Sequence, residues 1–146
     1  MPLVWRGMRM ANGRPEVGRT PSQLGVRIGR APEDDLPEHV GLVHPSTGGM
    51  SVSPNLESLP THRVPRRLKA KYPGQFAHAT GSNQLHCWSM GEGPFAAGPF
   101  ADRLELRLDP DDPDRHGFIE PEQAMPPTDY ESAITATRDL WRRWEE

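Results

Sequence analysis

The sequence predicts a single α+β domain over residues 1–146, built from short strands, long irregular connections and flanking helices that include a C-terminal one. The chain carries 17 prolines and 14 glycines, and its hydrophobic share of 34% lies below the range typical of globular domains. Apolar and polar residues alternate only in short runs, which is the pattern of half-buried strands. This composition excludes a compact helical bundle and favours a binding cleft made by loops.

Charge and cysteine content restrict the compartment and the partners. The formal net charge of −3 requires neither a nucleic acid nor a membrane surface as partner. The single cysteine, Cys87, excludes an intrachain disulfide and suits a reducing compartment. Residues 1–6 lack the apolar segment of a signal peptide, and no apolar run approaches the length of a membrane-spanning helix. We therefore expect a cytoplasmic protein, or one delivered into a target-cell cytoplasm by a specialised secretion system.

The N-terminal part predicts three strands and one short helix. Residues 3–8 alternate as a strand in which Arg6 shares a face with apolar residues. This arginine either extends along a sheet edge or faces a cleft that binds an anion. Residues 20–24 begin with the Thr-Pro pair typical of a helix start. Residues 40–43 and 50–52 each predict a short strand.

A loop rich in glycine and hydroxyl groups, residues 44–49, separates these two short strands. Gly48 and Gly49 allow the backbone to approach another group closely or to adopt positive φ. The neighbouring hydroxyls supply hydrogen-bond donors and acceptors at the same place; they belong to Ser46, Thr47 and Ser51. Two interpretations remain open, a ligand-binding loop and a tight turn that caps a strand.

The middle of the chain contains a basic cluster. Prolines interrupt residues 53–74, so no long regular element is expected there. Within this segment, residues 62–71 carry His62 and five lysines or arginines, beginning with Arg63. Such a cluster either binds phosphate groups or nucleic acid, or forms a solvated surface.

Three further strands are predicted in the second half, at residues 85–90, 104–108 and 116–120. The glycine-rich segment 91–99 lacks the Lys-Ser/Thr pair of a phosphate-binding P-loop. The acidic segment 109–114 lacks the glycine and the distal glutamate of a calcium loop, which favours a solvated turn.

The C-terminal helix is predicted by two signals. Thr-Asp-Tyr-Glu at residues 128–131 is a capping box, and it directly follows two prolines. Apolar residues from Tyr130 to Trp144 then recur at helical spacing. We expect Trp141 and Trp144 to anchor this helix in the core.

The candidate site residues form one chemical set. Arg6 can bind a phosphate with its planar guanidinium, Ser51 can orient a ribose, and Glu120 can stabilise an oxocarbenium-like transition state. This set matches cleavage of the nicotinamide–ribose bond of NAD. We predict Glu120, Ser51 and Arg6 as catalytic residues, and as NAD-binding residues Arg6, Thr47, Gly48, Gly49, Ser51, His62, Arg63 and Trp88. The histidines show no metal-ligand spacing, so no metal is expected.

Three segments resemble the type VI secretion effector family of ADP-ribosyltransferase-like toxins. Leu-Val-Trp-Arg at residues 3–6 resembles the family's opening strand. Gly-Leu and Pro-x-Thr-Gly-Gly-x-Ser-Val within 41–52 resemble its central segment, although the family has Thr-Ser after Gly-Gly and this chain has Met-Ser. His-x-x-Ile-x-Pro-x-x-x-Met at 116–125, followed by a helix with arginines and tryptophans, resembles its C-terminal end. Residues 54–112 match poorly.

The resemblance implies a mixed or antiparallel β-sheet core of the ADP-ribosyltransferase type. It also implies NAD as substrate, transfer of ADP-ribose to an unknown acceptor macromolecule, toxicity inside a target cell, and a cognate immunity protein. The family member used for comparison has no carboxylate at the position of Glu120, which is therefore either a transferase glutamate on a late strand or a surface residue. The alternatives are a non-catalytic toxin and a nucleotide- or RNA-binding protein that uses the 62–71 cluster.

Overall fold

Eleven short strands, two short α-helices and three 3₁₀ turns make up the regular structure, and the computed structural model describes all residues from 1 to 146. The strands are, in chain order, β1 (Val4–Ala11), β2 (Arg14–Pro15), β3 (Ile28–Gly29), β4 (Leu36–His39), β5 (Leu42–Val43), β6 (Met50–Val52), β7 (Leu85–Met90), β8 (Gly98–Pro99), β9 (Leu104–Leu108), β10 (Gly117–Pro121) and β11 (Arg142–Arg143). The helices are α1 (Arg67–Lys71) and α2 (Pro127–Thr135), and the 3₁₀ turns cover Leu56–Ser58, Thr61–Arg63 and Arg138–Leu140. Neither helix has the length and apolar character needed to cross a membrane.

Two four-stranded antiparallel sheets form the body of the protein. The first has the order β11-β7-β1-β2 and the second the order β6-β10-β9-β8. They meet where Trp5 of β1 and Ser53, just after β6, exchange backbone hydrogen bonds of 2.7 and 2.9 Å. A third, smaller sheet has the order β3-β4-β5, with β3 parallel to β4. The chain is therefore a single α+β domain of mostly antiparallel sheets with few helices.

The second sheet separates an apolar face from a polar one. The residues that it contributes to the main core are Met50, Val52, Leu104, Leu106 and Ile119. Because strand residues alternate between the two faces, the residues between them point away from this core. In the antiparallel register Ser51 lies opposite Phe118, and Phe118 lies opposite Arg107. Ser51 and Arg107 thus lie on the face away from the core, on either side of the Phe118 ring.

A smaller apolar cluster packs on the other side of the first sheet. It includes Cys87 of β7, Leu68 of α1 and Phe76, and the half-buried Trp5 packs against it. Next to this cluster the turn Thr61–Arg63 lies directly on β1, because Gly7 has no side chain: a Cβ there would collide with the carbonyl oxygen of Arg63. Gly7 thus brings the start of the basic cluster to the strand that carries Arg6.

Five of the predicted strands are confirmed, at residues 3–8, 50–52, 85–90, 104–108 and 116–120, with small shifts of their ends. The first strand continues to Ala11, where Asn12 and Gly13 form a tight turn with positive φ values of 55° and 77°. The last begins at Gly117 and continues to Pro121.

Two local predictions in the N-terminal part are wrong. Residues 20–24 form turns instead of a helix, because their backbone is bonded elsewhere: the carbonyl oxygens of Ser22 and Gln23 accept hydrogen bonds from the Arg9 N–H and the Arg6 side chain, and the Leu24 N–H donates to the carbonyl oxygen of Glu16. The strand expected at 40–43 starts only at Leu42. Val40 and Gly41, with φ values of 52° and 75°, form the hairpin turn between β4 and β5.

The C-terminal helix is confirmed, but its bounds differ from the prediction. It begins at Pro127 without a side-chain cap, so the capping box does not form, and it ends at Thr135. Beyond it, Arg138 donates hydrogen bonds of 2.6 and 3.0 Å to carbonyl oxygens of the β1–β2 hairpin, and β11 pairs with β7. The α-helix is therefore followed by the 3₁₀ turn Arg138–Leu140 and the strand β11, where the sequence predicts a continuous helix. Trp141 still lies in the core, fully buried, and Trp144 packs against the smaller cluster.

Candidate functional site

A cleft of about 290 Å³ opens beside the contact between the two main sheets. Residues of β1 and β6 line it, together with residues of the irregular segments around them. Five of the nine predicted site residues lie in this cleft, namely Arg6, Gly49, Ser51, His62 and Arg63. The other four, which do not line it, are Thr47, Gly48, Trp88 and Glu120. The structure therefore brings together residues that are up to 57 positions apart in the sequence.

Arg6 is a buried clamp between segments of backbone. Its guanidinium donates to the carbonyl oxygens of Gln23 (3.0 and 3.2 Å), Gly25 (3.1 Å) and Ser51 (2.7 Å). Burial lowers the pKa of Arg6 to about 10, so it remains a cation at neutral pH. Four of its five N–H groups are used in these bonds, which leaves one for a ligand. Arg6 therefore cannot offer a ligand the two-pronged grip that the sequence suggests.

Arg63 is the more available cation of the cleft. It is half-buried, and its one hydrogen bond runs from Nη1 to the Ser22 hydroxyl at 2.9 Å. It has no carboxylate partner within ion-pair distance. Burial, and next the positive charge of Arg27, lower its pKa. A guanidinium with free donors and no counterion is suited to an anionic group of a ligand.

The glycine-rich loop contributes Ser51 and Gly49 to the cleft. Ser51 is exposed, and its backbone oxygen accepts the shortest Arg6 bond. Gly48 and Gly49 have φ values of 154° and 155°, and Cβ atoms there would collide with the carbonyl oxygens of Asp35 and Ile119. The two glycines thus allow close packing against the protein's own backbone, which corresponds to the tight-turn interpretation.

Glu120 holds that loop from the opposite strand. It is 3% exposed, and its Oε2 accepts a hydrogen bond of 2.8 Å from the backbone N–H of Ser46 and one of 2.9 Å from Nε of Arg107. Strand alternation places it on the same face of β10 as Phe118, which lies opposite Ser51. Its carboxylate is therefore committed to the loop and to Arg107, outside the cleft.

The remaining predicted residues make contacts within the protein. The Thr47 hydroxyl donates to the carbonyl oxygen of His44 at 2.8 Å. Trp88 is 1% exposed, and its indole N–H donates to the carbonyl oxygen of Met8 at 3.0 Å. It belongs to the main core and has no surface for a ligand. His62 is exposed at the edge of the cleft.

Sequence reasoning missed three cleft residues whose side chains can bind a ligand or transfer a proton, namely Arg27, Asp35 and His116. Arg27 and Asp35 form an ion pair of 3.2 Å across the start of the third sheet. His116 forms a contact of 2.7 Å with Asp109. No motif marks the first pair, because both residues lie in irregular segments. The second pair has a weak signal, an acidic residue and a histidine at the two ends of one hairpin turn.

The cleft is cationic although the whole chain is acidic. Three arginines line it, against one carboxylate, that of Asp35. The rest of the basic cluster points elsewhere: Arg67 is paired with Glu146 and bonded to Asn83. The 62–71 cluster is thus divided between the cleft and another surface. No group of three or more His, Cys, Asp or Glu side chains is placed to hold a metal ion.

Comparisons with protein-family models, with curated proteins and with solved structures find no match to this chain.

Proposed function

We propose that this protein is an NAD-dependent ADP-ribosyltransferase-like toxin domain whose cleft binds the ADP-ribose part of NAD and releases nicotinamide. The observation that supports it most is the meeting of Arg6, Ser51 and Arg63 in one cationic cleft at the junction of two sheets. A dinucleotide carries two phosphate charges and two riboses, and arginine and serine are suited to bind both. The proposal includes a fold of the ADP-ribosyltransferase type, a cytoplasmic site of action and a cognate immunity protein.

The geometry favours a revised distribution of roles within this proposal. Arg63, with free donors, binds the pyrophosphate, while Arg6 mainly fixes the cleft and offers one N–H. The Ser51 hydroxyl contacts ribose. Asp35 is the carboxylate that lines the cleft, so we assign to it the stabilisation of the oxocarbenium-like charge. Glu120 acts as a positioning residue through its bond to the Ser46 N–H.

Nicotinamide release from labelled NAD, in the presence and absence of a cell lysate, tests the proposal. We expect Arg63→Gln to weaken NAD binding about tenfold or more, because a charge-assisted hydrogen bond is worth about 1.5–3 kcal/mol. Arg66→Gln, in the same cluster but exposed and outside the cleft, is the matched control and should bind NAD like the unmodified protein. Asp35→Asn should lower turnover more than it changes NAD affinity.

Three results would count against the proposal. If the protein neither binds nor cleaves NAD, the proposal is refuted. If NAD binds in an Arg63-dependent way but is not cleaved, the protein is a non-catalytic nucleotide-binding protein. If RNA binding is steeply salt-dependent, lost in Arg66→Gln and kept in Arg63→Gln, the result would favour an RNA-binding protein that uses the exposed part of the 62–71 cluster.

A further inference from the structure

Asp109 and His116 form an oriented pair at the end of the β9–β10 hairpin. The Nδ1 atom of His116 lies 2.7 Å from Oδ2 of Asp109. The other carboxylate oxygen, Oδ1, accepts a hydrogen bond of 2.9 Å from the backbone N–H of Asp111. The backbone N–H of Asp109 also donates to the carbonyl oxygen of His116 at 2.9 Å. Both the carboxylate and the imidazole are therefore held in fixed orientations.

The second ring nitrogen of His116 has no partner within the protein and is open to solvent. His116 lines the cleft, and Nε2 makes no hydrogen bond within the protein. Since no buried side-chain nitrogen or oxygen lacks a partner, this atom is reached by solvent. Strand alternation places His116 on the same face as Phe118, which lies opposite Ser51, and both His116 and Ser51 line the cleft. The ring is further supported by the edge-to-face contact with Phe118 at 4.7 Å.

This arrangement is the one that hydrolases use to prepare a general base. A carboxylate that binds Nδ1–H fixes the tautomer whose Nε2 has a free lone pair, and it stabilises the imidazolium that forms when Nε2 takes a proton. The hydrogen bond from His116, the largest cause, lowers the pKa of Asp109, which keeps it ionised in this role.

We propose that His116 is the general base of the transfer reaction, with Asp109 as its positioning residue, and that the acceptor group is a hydroxyl. This inference rests on the proposed function of the cleft. A hydroxyl is a weak nucleophile that must lose its proton on attack, so it is the acceptor class that gains from a base at this place.

The hydroxyl oxygen of the acceptor bonds to C1′ of the nicotinamide ribose, and the bond between C1′ and the pyridinium nitrogen breaks. The electron pair of that bond stays with the ring nitrogen, so neutral nicotinamide leaves. The hydroxyl proton passes to Nε2 of His116, and the resulting imidazolium lies beside the Asp109 carboxylate until it gives the proton to water.

Steady-state nicotinamide release with the full chain tests the assignment. Because general-base catalysis contributes about 10²–10⁴-fold, His116→Gln should lower kcat about 100-fold or more while KM changes less than about threefold. The limb of the pH–rate profile that reports deprotonation of the base should vanish. Asp109→Asn should lower kcat by at least about tenfold, and Asp109→Glu should restore part of the loss. Asp112→Asn, in the same turn and without a side-chain contact to His116, is the matched control.

A second measurement does not depend on turnover. Nitrogen NMR of the His116 ring should place the proton of the neutral imidazole on Nδ1 in the unmodified protein and in Asp112→Asn. The Asp109→Asn variant should lose that preference, since the carboxylate no longer fixes the tautomer.

The outcomes separate this inference from the proposed function. If the unmodified protein releases nicotinamide and His116→Gln has a kcat within about threefold of it, the general base is refuted and the transferase proposal stands. The same follows if Asp109→Asn behaves like Asp112→Asn. If the unmodified protein neither binds nor cleaves NAD, the proposed function fails, and the inference that rests on it fails too.

Discussion

Replacing Glu120 by glutamine tests whether this residue supports the fold or the chemistry. In the structure one carboxylate oxygen accepts both the Ser46 N–H and the Arg107 Nε–H, and the side chain is almost fully buried. Glutamine keeps the shape but removes the charge. Breaking a buried ion pair costs about 3–5 kcal/mol, but the Arg107 side chain is 26% exposed and regains water contacts. We therefore expect a loss of about 2 kcal/mol, since the neutral amide oxygen can still accept one bond.

The assay is thermal and urea unfolding of the purified variant. For a domain of this size a loss of about 2 kcal/mol lowers Tm by about 6 °C. Glu105→Gln is the matched control, because Glu105 lies opposite Glu120 on β9 and makes no ion pair; it should change stability by less than about 0.5 kcal/mol. If Glu120→Gln is as stable as this control, the loop is not held by Glu120. If it is folded and inactive beyond the expected effect of a looser loop, the carboxylate is catalytic after all.

Two further predictions concern packing and a buried thiol. Gly48→Ala should cost about 3 kcal/mol, because its Cβ collides with the Asp35 carbonyl, whereas Gly98→Ala, with a similar φ of 152° but open space, should cost about 1 kcal/mol; equal losses would contradict this. Burial raises the pKa of Cys87 from 9.0 to about 12. At pH 8 the folded thiol should react with iodoacetamide about 1000-fold more slowly than in denaturant. Because the pKa of Cys87 is higher in the folded than in the unfolded protein, burial of the neutral thiol stabilises the fold fully below pH 9. This stabilisation is lost as the pH rises towards 12. Cys87→Ala should therefore lose less stability between pH 9 and 11, and an equal loss would refute this assignment.

The five confirmed strands were predictable because each is determined by a local pattern, whereas the two-residue strands β2, β3, β8 and β11, and β4, carry no such pattern. Alternation in Leu104–Leu108 reflects one buried face. Leu85–Met90 is buried on both faces, and the period of two correctly separates Trp88, in the main core, from Cys87, in the smaller cluster. The two N-terminal failures have different causes. Residues 22–24 are held by hydrogen bonds to Arg6, Arg9 and Glu16, which no local pattern contains. Val40 and the glycine after it form the two-residue hairpin turn between β4 and β5.

The C-terminal region and the site depend on long-range contacts that no local pattern contains. The helix ends at Thr135 because the segment after it bonds to a hairpin more than 120 positions away in the sequence. The cleft depends on Gly7, whose missing side chain admits the turn that carries Arg63. The Asp109–His116 pair was not predicted, because the aspartate-rich segment indicates only a solvated turn. The pairing of β9 with β10 brings the two residues together.

Arg6 shows why a residue type alone does not identify its role. A guanidinium in an apolar strand suggests an anion site, yet its desolvation is compensated here by three backbone carbonyl groups. Those bonds connect the irregular segment 23–25 to β6, so the charge that makes the cleft cationic also shapes it. Loss of activity in Arg6→Ala would therefore combine an altered fold with a lost ligand contact. The Arg63 side chain is bonded only to a serine hydroxyl, so its substitution removes a ligand contact with little effect on the fold. Ligand binding is therefore best tested first at Arg63.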